Sequence, residues 1–419
     1  SPGSRVTRAA AVGLALASLG LLAAGAGNAQ VQAKTTITWG VMAGPQYEER
    51  YNRIVAAFEK THPDISVKWV GLEGQFQEKL LTLVAAGEAP DVIRIDVENL
   101  PEYVEQGILE NLNAYMDRDK AFSLKGVFTS ALAGFTYKGK LWGIPRSVTV
   151  SSTYYNVDMF DAAGLNRPAD SWTWQDMVNI GKRLTKDNNG DGKLDQFGLY
   201  QTTDYVEWLP LIYSHGGAVL DSEGRVVFDS PANLTAFTLY QTWRGSAHIA
   251  PRSGESTSVF QDGRFGMIMM ADWVRQIYRN IKSFKWDTAT IPAGPKGQYA
   301  FIGGGAMGIS SQSKNKQAAW EFVKFFTSED VQNIIVDLNV GVPILEKVAI
   351  ERYVGPNPNP PHLIAVIQML RVARGAPQHP LWRDMLQRIN AQLPGLVNGQ
   401  TSPNQFISRV ADELRKLAK

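Results

Sequence analysis

The stretch ISVKWVGLEGQFQEKLLTLVAAGEAPDVIRI, residues 65–95, decides the fold class of this chain. Ile65, Val67 and Trp69 alternate with other residues, as in a half-buried strand. Apolar residues at helical spacing then continue up to Gly87, and the run DVIRI at 91–95 predicts the next strand. A strand, a helix and a strand in this order predict parallel strands covered by helices.

The same pattern extends upstream. The run ITWGVM at 37–42 predicts a first strand, and apolar residues at helical spacing follow between 47 and 58. Three strands with helices between them predict an α/β lobe with a parallel sheet. Ligands of such sheets bind in loops beyond the carboxyl ends of the strands. In this chain those loops are residues 43–46, 71–76 and 96–100.

Three short extended segments interrupt the rest of the chain, which is richer in helices. They lie at 148–153, 301–307 and 340–343, and they contain β-branched residues, glycine or proline without helical periodicity. We expect them to carry the chain between two lobes. Because three is an odd number of crossings, each lobe is then built from separate parts of the sequence.

Composition narrows the class of protein further. The chain has 419 residues, of which 44% are hydrophobic and 20% charged, as is usual for globular proteins. The formal net charge of +2 gives no reason to expect nucleic acid or an anionic membrane as partner. The absence of cysteine excludes disulfides, thiolate metal sites and a lipid-modified N-terminal cysteine. The five histidines are scattered, so a histidine-built zinc site is not expected.

Residues 1–33 predict an export signal, of which the first four residues, SPGS, resemble a cloning remnant. Arg5 and Arg8 form a basic start, residues 9–24 are apolar, and small residues suited to cleavage follow. The alternative is a membrane anchor helix, but the apolar run is short for a membrane span. We therefore expect an exported protein that is free in the periplasm and is not a lipoprotein.

Several short motifs along the chain occur in an order that resembles a known family. They are APDVI at 89–93, LPEYVEQGIL at 100–109, YKGKLWGIP at 137–145, YYN at 154–156, FQDGRFGMIMMADW at 260–273, GGG at 303–305, AAWEFVKFF at 318–326 and LW at 381–382. Each motif is weak alone, but their order covers nearly the whole chain after the signal. The chain resembles the family 1 extracellular solute-binding proteins, the group that contains maltose-binding protein.

This resemblance implies a two-lobed α/β fold of the periplasmic-binding-protein type, whose discontinuous lobes are joined by three hinge crossings. The N-terminal lobe would comprise 34–150 plus 309–339, and the C-terminal lobe 151–303 plus 343–419. The resemblance also implies the carbohydrate-binding component of an ABC importer, which closes over a di- or oligosaccharide and delivers it to transmembrane permease subunits. Such a protein is not an enzyme and requires no cofactor, and we expect a monomer.

A sugar site needs aromatic rings for the C–H faces of the sugar and polar side chains for its hydroxyls. Trp273 follows an apolar strand in the slot where the family often has G-x-W, although the residue two before it is alanine. Trp382 begins a late helix, where the family often places an aromatic residue. Tyr205 and Trp208 are further aromatic candidates for the site. The alternative for all four is packing in the core.

The polar candidates lie in the loops beyond the strands and near the first crossing. Asp96 and Glu98 follow the third strand, where a carboxylate accepts sugar hydroxyls or caps the next helix. The other candidates are Glu73, Gln75, Arg146, Arg383, Gly304 and Gly305. The two glycines would let backbone amides approach a ligand. They also belong to a G-x-G-x-x-G sequence, which we interpret as a chance match because strand is expected to follow it.

The sequence DNNGDGKLD at 187–195 follows the ligand spacing of a calcium loop. Its candidate ligands are Asp187, Asn189, Asp191, the backbone carbonyl of Lys193, and Asp195. Gly198 replaces the bidentate glutamate expected at the twelfth position of such a loop. A structural calcium site is one interpretation, and a turn held by its own Asp and Asn side chains is the other.

Two other functions stay open at this point. Arg146, Arg275 and Arg383 suit an anion, so one alternative is a binding protein for glycerol 3-phosphate or a related polar solute. The more distant alternative is a secreted glycosidase, which needs two carboxylates placed across a sugar. The chain contains no G-x-S-x-G, H-E-x-x-H or Walker sequence.

Overall fold

A computed structural model describes residues 34–418 of the chain. The predicted export signal at 1–33 lies outside the described residues. The strands are β1 (Thr35–Met42), β2 (Ile65–Leu72), β3 (Val92–Asp96), β4 (Thr136–Tyr137), β5 (Lys140–Leu141), β6 (Ile144–Asn156), β7 (Phe197–Tyr200), β8 (Phe265–Ala271), β9 (Trp286–Ala289), β10 (Ala300–Ile309) and β11 (Ala373–Arg374).

The α-helices vary from single turns to seventeen residues. They are α1 (Pro45–Thr61), α2 (Phe76–Ala86), α3 (Leu100–Glu105), α4 (Asn113–Arg118), α5 (Thr129–Ala133), α6 (Val157–Ala162), α7 (Trp174–Leu184), α8 (Tyr205–Ser214), α9 (Pro231–Thr242), α10 (Arg275–Tyr278), α11 (Lys316–Phe325), α12 (Glu329–Asp337), α13 (Glu346–Val348), α14 (Ile364–Arg371), α15 (Trp382–Val397) and α16 (Pro403–Leu417). Short 3₁₀ turns occupy Val97–Asn99, Phe260–Asp262 and Asp272–Val274, and a π-helical segment occupies Ala349–Val354. Within residues 34–418, no helix is long and apolar enough to span a bilayer.

The predicted succession of strands and helices at the start of the chain is confirmed. β1 pairs in parallel with both β2 and β3, and α1 and α2 connect these strands. α2 ends at Gly87, whose φ of 74° lies in the left-handed region that glycine adopts without strain. The carboxyl ends of the three strands therefore share one edge of the sheet, and Asp96 is the last residue of β3.

A nine-stranded sheet with the central order β2-β1-β3-β10-β6-β8-β7 runs through the described residues. β9 pairs with β6, and β11 pairs with β10. β10 is antiparallel to β3 on one side and to β6 on the other. The parallel strands of the first lobe are thereby joined through β10 and β6 to the strands of the second lobe.

Three segments cross between two hydrophobic cores. The long strand β6 begins with Ile144 in the first core and reaches Tyr154 in the second, while β10 runs in the opposite direction. The third segment lies beside β6, where Val148 and Val342 exchange backbone N–H···O bonds of 3.0 and 2.9 Å. The predicted crossings therefore lie side by side and form the hinge of the molecule.

Each core belongs to one lobe. The fold class predicted from the sequence, a two-lobed α/β arrangement, is therefore confirmed. The first core collects residues from 37–144 and 306–335, and the second collects residues from 127–302 and 342–414. Val127 packs in the second core, although the predicted boundary at residue 150 places it in the first lobe. The lobe boundaries drawn from the sequence stay a prediction.

Candidate functional site

The carboxylate of Asp96 lies at the carboxyl edge of the first lobe. Its Oδ1 accepts a hydrogen bond of 2.6 Å from Nη2 of Arg94, two residues earlier in β3. Asp96 also stands opposite Gly305 in the antiparallel pairing of β3 with β10. Its side chain is 30% exposed, so it still offers acceptor capacity to a ligand.

A hydrogen bond joins the two lobes beside Asp96. Glu98 lies in the 3₁₀ turn after β3, and its Oε1 accepts a bond of 3.2 Å from the hydroxyl of Tyr205 at the start of α8. Burial raises the pKa of Glu98 and the charge of Asp96 adds to the increase, whereas the bond from Tyr205 and the charge of Arg383 oppose it. A hydrogen-bond donor and an acceptor from opposite lobes therefore meet at one point.

Two of the predicted aromatic ligands lie in the core of the second lobe. Trp208 is 0% exposed and packs near Phe237, and Trp382 is 1% exposed. A ring without accessible surface has no face to offer a sugar, so we assign both tryptophans to packing. Tyr205 is partly exposed, and its ring meets Phe301 edge-on at 5.0 Å. Tyr205 therefore lies between the packed aromatic side chains of the second lobe and the space between the lobes.

Trp273 differs from the other aromatic candidates, because 51% of its surface is exposed. It lies in the 3₁₀ turn Asp272–Val274, directly after the buried strand β8. The buried carboxylate of Asp272 fixes this turn by accepting bonds of 2.7 Å from Oγ1 of Thr149 and 3.2 Å from the amide of Val150. The turn is thus held in place, and the exposed indole is available for stacking.

A cavity of about 230 Å³ opens beside this indole. Its walls come from the second lobe and from the crossing segments: Thr149, Asp272, Trp273, Arg275, Gln276, Arg279, Asn339, Val340, Gly341 and Asn359. Arg275 lies over the ring of Tyr353, at 4.5 Å from the ring centre. Aromatic surface, amides and guanidinium groups therefore meet in this cavity.

A second cavity, of about 670 Å³, is lined by residues of both lobes. Val97, Tyr137 and Lys138 line it from the first lobe, and Tyr213 and Arg374 from the second. The guanidinium of Arg374 lies 4.1 Å from the centre of the Tyr213 ring. Because Val97 precedes Glu98, this cavity adjoins the bond between the lobes.

Arg146 lies on β6 among other cationic side chains. Its Nη1 is buried and has no hydrogen-bond partner among the described residues. Burial lowers the pKa of Arg146, and the nearby guanidinium groups of Arg50 and Arg94 add to the decrease. A methyl group placed on Gly305 would lie 3.1 Å from Nε of Arg146 and 3.5 Å from Oδ1 of Asp96. The structure therefore brings Arg146, Asp96 and Gly305 together.

Close strand packing explains the glycines at 304 and 305. Gly304 has a φ of 140°, and a Cβ atom there would lie 2.7 Å from the carbonyl oxygen of Ser147 in β6. The register between β6 and β10 shifts between Gly305 and Ala306. The whole G-x-G-x-x-G sequence lies inside β10, which confirms that a strand continues through it. Contact of these glycines with a ligand stays a prediction.

Three of the polar candidates make no hydrogen bond or ion pair with the residues described above. Glu73 and Gln75 are exposed in the loop after β2, and their side chains make no hydrogen bond to the described residues. Arg383 is exposed at the start of α15 and has no ion pair within residues 34–418, although its charge acts on Glu98. Arg383 is therefore close to the site, whereas nothing links the other two to it.

The predicted calcium loop is held by its own side chains. The carboxylate of Asp187 accepts bonds from the amides of Gly190 and Gly192, at 2.7 and 2.8 Å. Asp195 accepts a bond of 2.9 Å from the side-chain amide of Asn188. Across residues 34–418, no group of three or more His, Cys, Asp or Glu side chains is placed to bind a metal ion. Calcium binding stays a prediction, which titration with calcium after chelation tests.

Several residues of the site were not predicted from the sequence. Thr149, Gln276, Arg279 and Asn359 line the cavity beside Trp273. They come from β6, from α10 and the residue that follows it, and from a proline-rich loop, which are far apart in the sequence. No motif marks them. The available signals were the position of Thr149 in the predicted crossing at 148–153 and the closeness of Gln276 and Arg279 to Trp273 in the sequence.

A family model described as bacterial extracellular solute-binding protein matches residues 44–333 of the chain. Among curated proteins, a binding protein of Brucella abortus (strain 2308) is 28% identical, over 96% of this chain and 97% of that protein. A galactooligosaccharide-binding protein of Bacillus subtilis (strain 168) is 22% identical, over 96% of this chain and 94% of that protein.

A solved structure is similar in both sequence and fold. It is an ABC substrate-binding protein of Listeria monocytogenes in complex with cycloalternan, and it is 27% identical with a TM-score of 0.76. The match covers 92% of this chain and 99% of the Listeria protein. The similarity therefore extends through both lobes and the crossing segments.

Proposed function

The chain belongs to the bacterial extracellular solute-binding proteins, and we propose that it is the exported carbohydrate-binding component of an ABC importer. Its ligand is a di- or oligosaccharide, which it delivers to a membrane permease. Relatives whose names state oligosaccharide ligands support this choice of ligand class. The export signal expected from the sequence agrees with a site of action in the periplasm.

The hydrogen bond between Tyr205 and Glu98 is the observation that carries this proposal. A sugar hydroxyl both donates and accepts, so a ligand between the lobes can donate to Glu98 and accept from Tyr205. These two bonds replace the bond of 3.2 Å that now links Tyr205 to Glu98. A ligand that binds both lobes stabilises the closed form, because its contacts with the second lobe exist only there.

The neighbouring groups supply the rest of a sugar site. Trp273 offers an exposed indole face, against which the C–H face of a pyranose packs. Asp96 accepts hydroxyls, and Arg383 donates from the opposite lobe. The permease then recognises the closed form by the relative position of the two lobes. The binding energy is used for closure, and no covalent step is required.

Isothermal titration with maltotriose, galactotriose and arabinotriose tests this proposal. We expect saturable binding of one saccharide class to the wild type, and much weaker binding to Glu98→Gln with Tyr205→Phe. A matched pair of conservative substitutions, Glu110→Gln with Tyr115→Phe, removes a Tyr–Glu hydrogen bond of 3.1 Å within the first lobe and leaves the affinity unchanged. Turnover of chromogenic glycosides by the wild type would instead favour the glycosidase alternative.

A further inference from the structure

A basic groove extends from Trp273 along the surface of the second lobe. The cavity of about 230 Å³ beside Trp273 adjoins one of about 550 Å³, because Arg279 and Asn359 line both. Together their volumes lie within the range of about 300–1,000 Å³ that is typical of small-molecule sites. We call these two cavities the basic groove, and its cationic side chains are Arg167, Arg275, Arg279, Lys282 and Lys285.

Four of these five cations have no ion pair among the described residues. Arg167 binds Asp161 at 2.8 Å, whereas the other four make no such contact within residues 34–418. Arg279, Lys282 and Lys285 are exposed. A row of cations without close ion pairs along a concave surface favours an anionic ligand.

The two carboxylates on the walls of the basic groove are largely buried, although the charge of Arg275 acts on Asp272 and that of Asp287 acts on Arg167. Asp272 is 4% exposed and accepts bonds from Thr149 and the amide of Val150. Asp287 is 8% exposed, and its Oδ1 accepts bonds of 2.8 Å from the amides of Thr288 and His362. Both carboxylates are thus engaged by protein donors and mostly out of solvent, so the exposed charged side chains of the groove, Arg279, Lys282 and Lys285, are cationic.

We propose that the basic groove binds the acidic part of an oligosaccharide, with one pyranose ring on Trp273 and its carboxylate or phosphate groups on Arg275, Arg279 and Lys282. This inference rests on the proposed function and names the substrate class. The exposed indole favours a sugar over a free inorganic anion, because a sugar ring has an apolar face to pack on it. Guanidinium groups bind carboxylate and phosphate with paired, charge-assisted hydrogen bonds.

Neutral saccharides suit this groove less well. Their hydroxyls would desolvate the guanidinium and ammonium groups without supplying a compensating charge. An acidic ligand contributes the missing charge at the same positions, and its binding weakens as salt screens the attraction. Salt dependence therefore separates the two classes of ligand.

Isothermal titration of the chain with matched saccharides tests the inference. The probes are trigalacturonate, its fully methyl-esterified form, neutral galactotriose, galactose 6-phosphate and inorganic phosphate. We expect trigalacturonate or galactose 6-phosphate to bind, and to bind at least about tenfold more tightly than the matched neutral sugar, a difference equivalent to about 1.4 kcal/mol. Binding of trigalacturonate would identify a uronate ligand, and binding of galactose 6-phosphate would identify a sugar phosphate.

Variants of one exposed arginine link the result to the basic groove. Arg279→Gln is expected to weaken binding of the acidic sugar about tenfold, and Arg279→Lys to weaken it less. Arg388→Gln is the matched control, because Arg388 is exposed on α15 and lies outside the groove. Equal binding of neutral and acidic sugars, or an unchanged affinity in Arg279→Gln, would overturn the inference and leave the proposed function standing. Binding of inorganic phosphate alone, or of no sugar at all, would contradict both.

Discussion

The hydroxyl of Tyr205 lies 3.2 Å from Oε1 of Glu98, although 107 residues separate the two along the chain. One residue begins a helix of the second lobe, and the other follows the last parallel strand of the first. Burial raises the pKa values of both side chains, and the bond between them is partly buried. It is therefore a direct measure of how the two lobes meet.

Removal of this hydroxyl is expected to loosen the contact between the lobes. Tyr205→Phe leaves Glu98 buried without its donor, and we expect the free energy of unfolding to fall by about 1–3 kcal/mol. Urea denaturation measures this loss, and small-angle scattering of the unliganded protein should show a larger radius of gyration. Tyr200→Phe is the control, because the hydroxyl of Tyr200 makes no hydrogen bond to the described residues. An unchanged radius with unchanged stability would mean that the bond does not hold the lobes.

The two tryptophans predicted as stacking rings are expected to behave differently. Trp382→Ala removes a ring that is 1% exposed, and core truncations of this size cost about 3–5 kcal/mol of stability. Trp273→Ala removes a ring that is 51% exposed, so its stability should change by less than about 0.5 kcal/mol while its affinity for sugar falls. Chemical denaturation and titration calorimetry on both variants check this. A large loss of stability in Trp273→Ala would show instead that the ring of Trp273 is packed in the core.

The side chain of Gln332 is expected to stabilise the hinge. It is fully buried in α12 and donates bonds to the carbonyls of Arg146 and Phe326, at 3.0 and 2.8 Å, while it accepts one of 2.8 Å from the amide of Ile344. Gln332→Ala leaves these backbone groups buried without partners, and we expect a loss of about 2–4 kcal/mol.

Urea denaturation of the Gln332 variant checks this loss. Gln317→Ala on the neighbouring helix α11 is the control, because Gln317 is exposed and bonds only to Glu321. If Gln332→Ala and Gln317→Ala are equally stable, the side chain of Gln332 does not hold β6 and the crossing segment before Ile344 together.

The buried carboxyl of Glu207 predicts a pH dependence of stability. Burial raises its pKa to about 7, although Tyr240 donates a bond of 2.6 Å to it. Because the folded-state pKa lies above the usual 4.5, the folded protein holds this proton more tightly than the unfolded chain. Stability from this group is therefore lost as the pH rises from about 4.5 to about 7.

The pH dependence of the free energy of unfolding, compared between the wild type and Glu207→Gln, tests this prediction. We expect the free energy of unfolding of the wild type to fall over this pH window by roughly 1–3 kcal/mol more than that of Glu207→Gln, which does not titrate. Exposed acids contribute equally to both proteins and cancel in the difference. Parallel pH profiles for the two proteins would show that Glu207 does not change its protonation there.

Local periodicity explains why the first three strands and their helices were predictable. Alternation over 65–69 and helical spacing up to Gly87 depend on neighbouring residues alone, and the structure contains β2 and α2 there. The extended segments at 148–153, 301–307 and 340–343 predicted the crossings, and the motifs of the family added the bounds of the lobes, which depend on contacts over long distances in the sequence.

The side chains of the site were harder to predict, for a physical reason. No local motif separates Trp273 from Trp208 and Trp382, and only the packing of separate elements decides that Trp273 is exposed and the others are buried. Asp96 and Glu98 were predicted because they follow a strand at its carboxyl end. Arg279 was missed because it acquires a role only where α10 meets the loop containing Asn359.

Thermal unfolding of the chain against a panel of saccharides tests the central claim most directly, with glycerol 3-phosphate and spermidine included in the panel. A ligand at a hundred times its dissociation constant stabilises the fold by about 2.7 kcal/mol, which is a readily measured shift in Tm. The account predicts that one class of oligosaccharide raises the Tm and that Glu98→Gln reduces this shift. A shift with glycerol 3-phosphate or spermidine alone, and none with any saccharide, would contradict it.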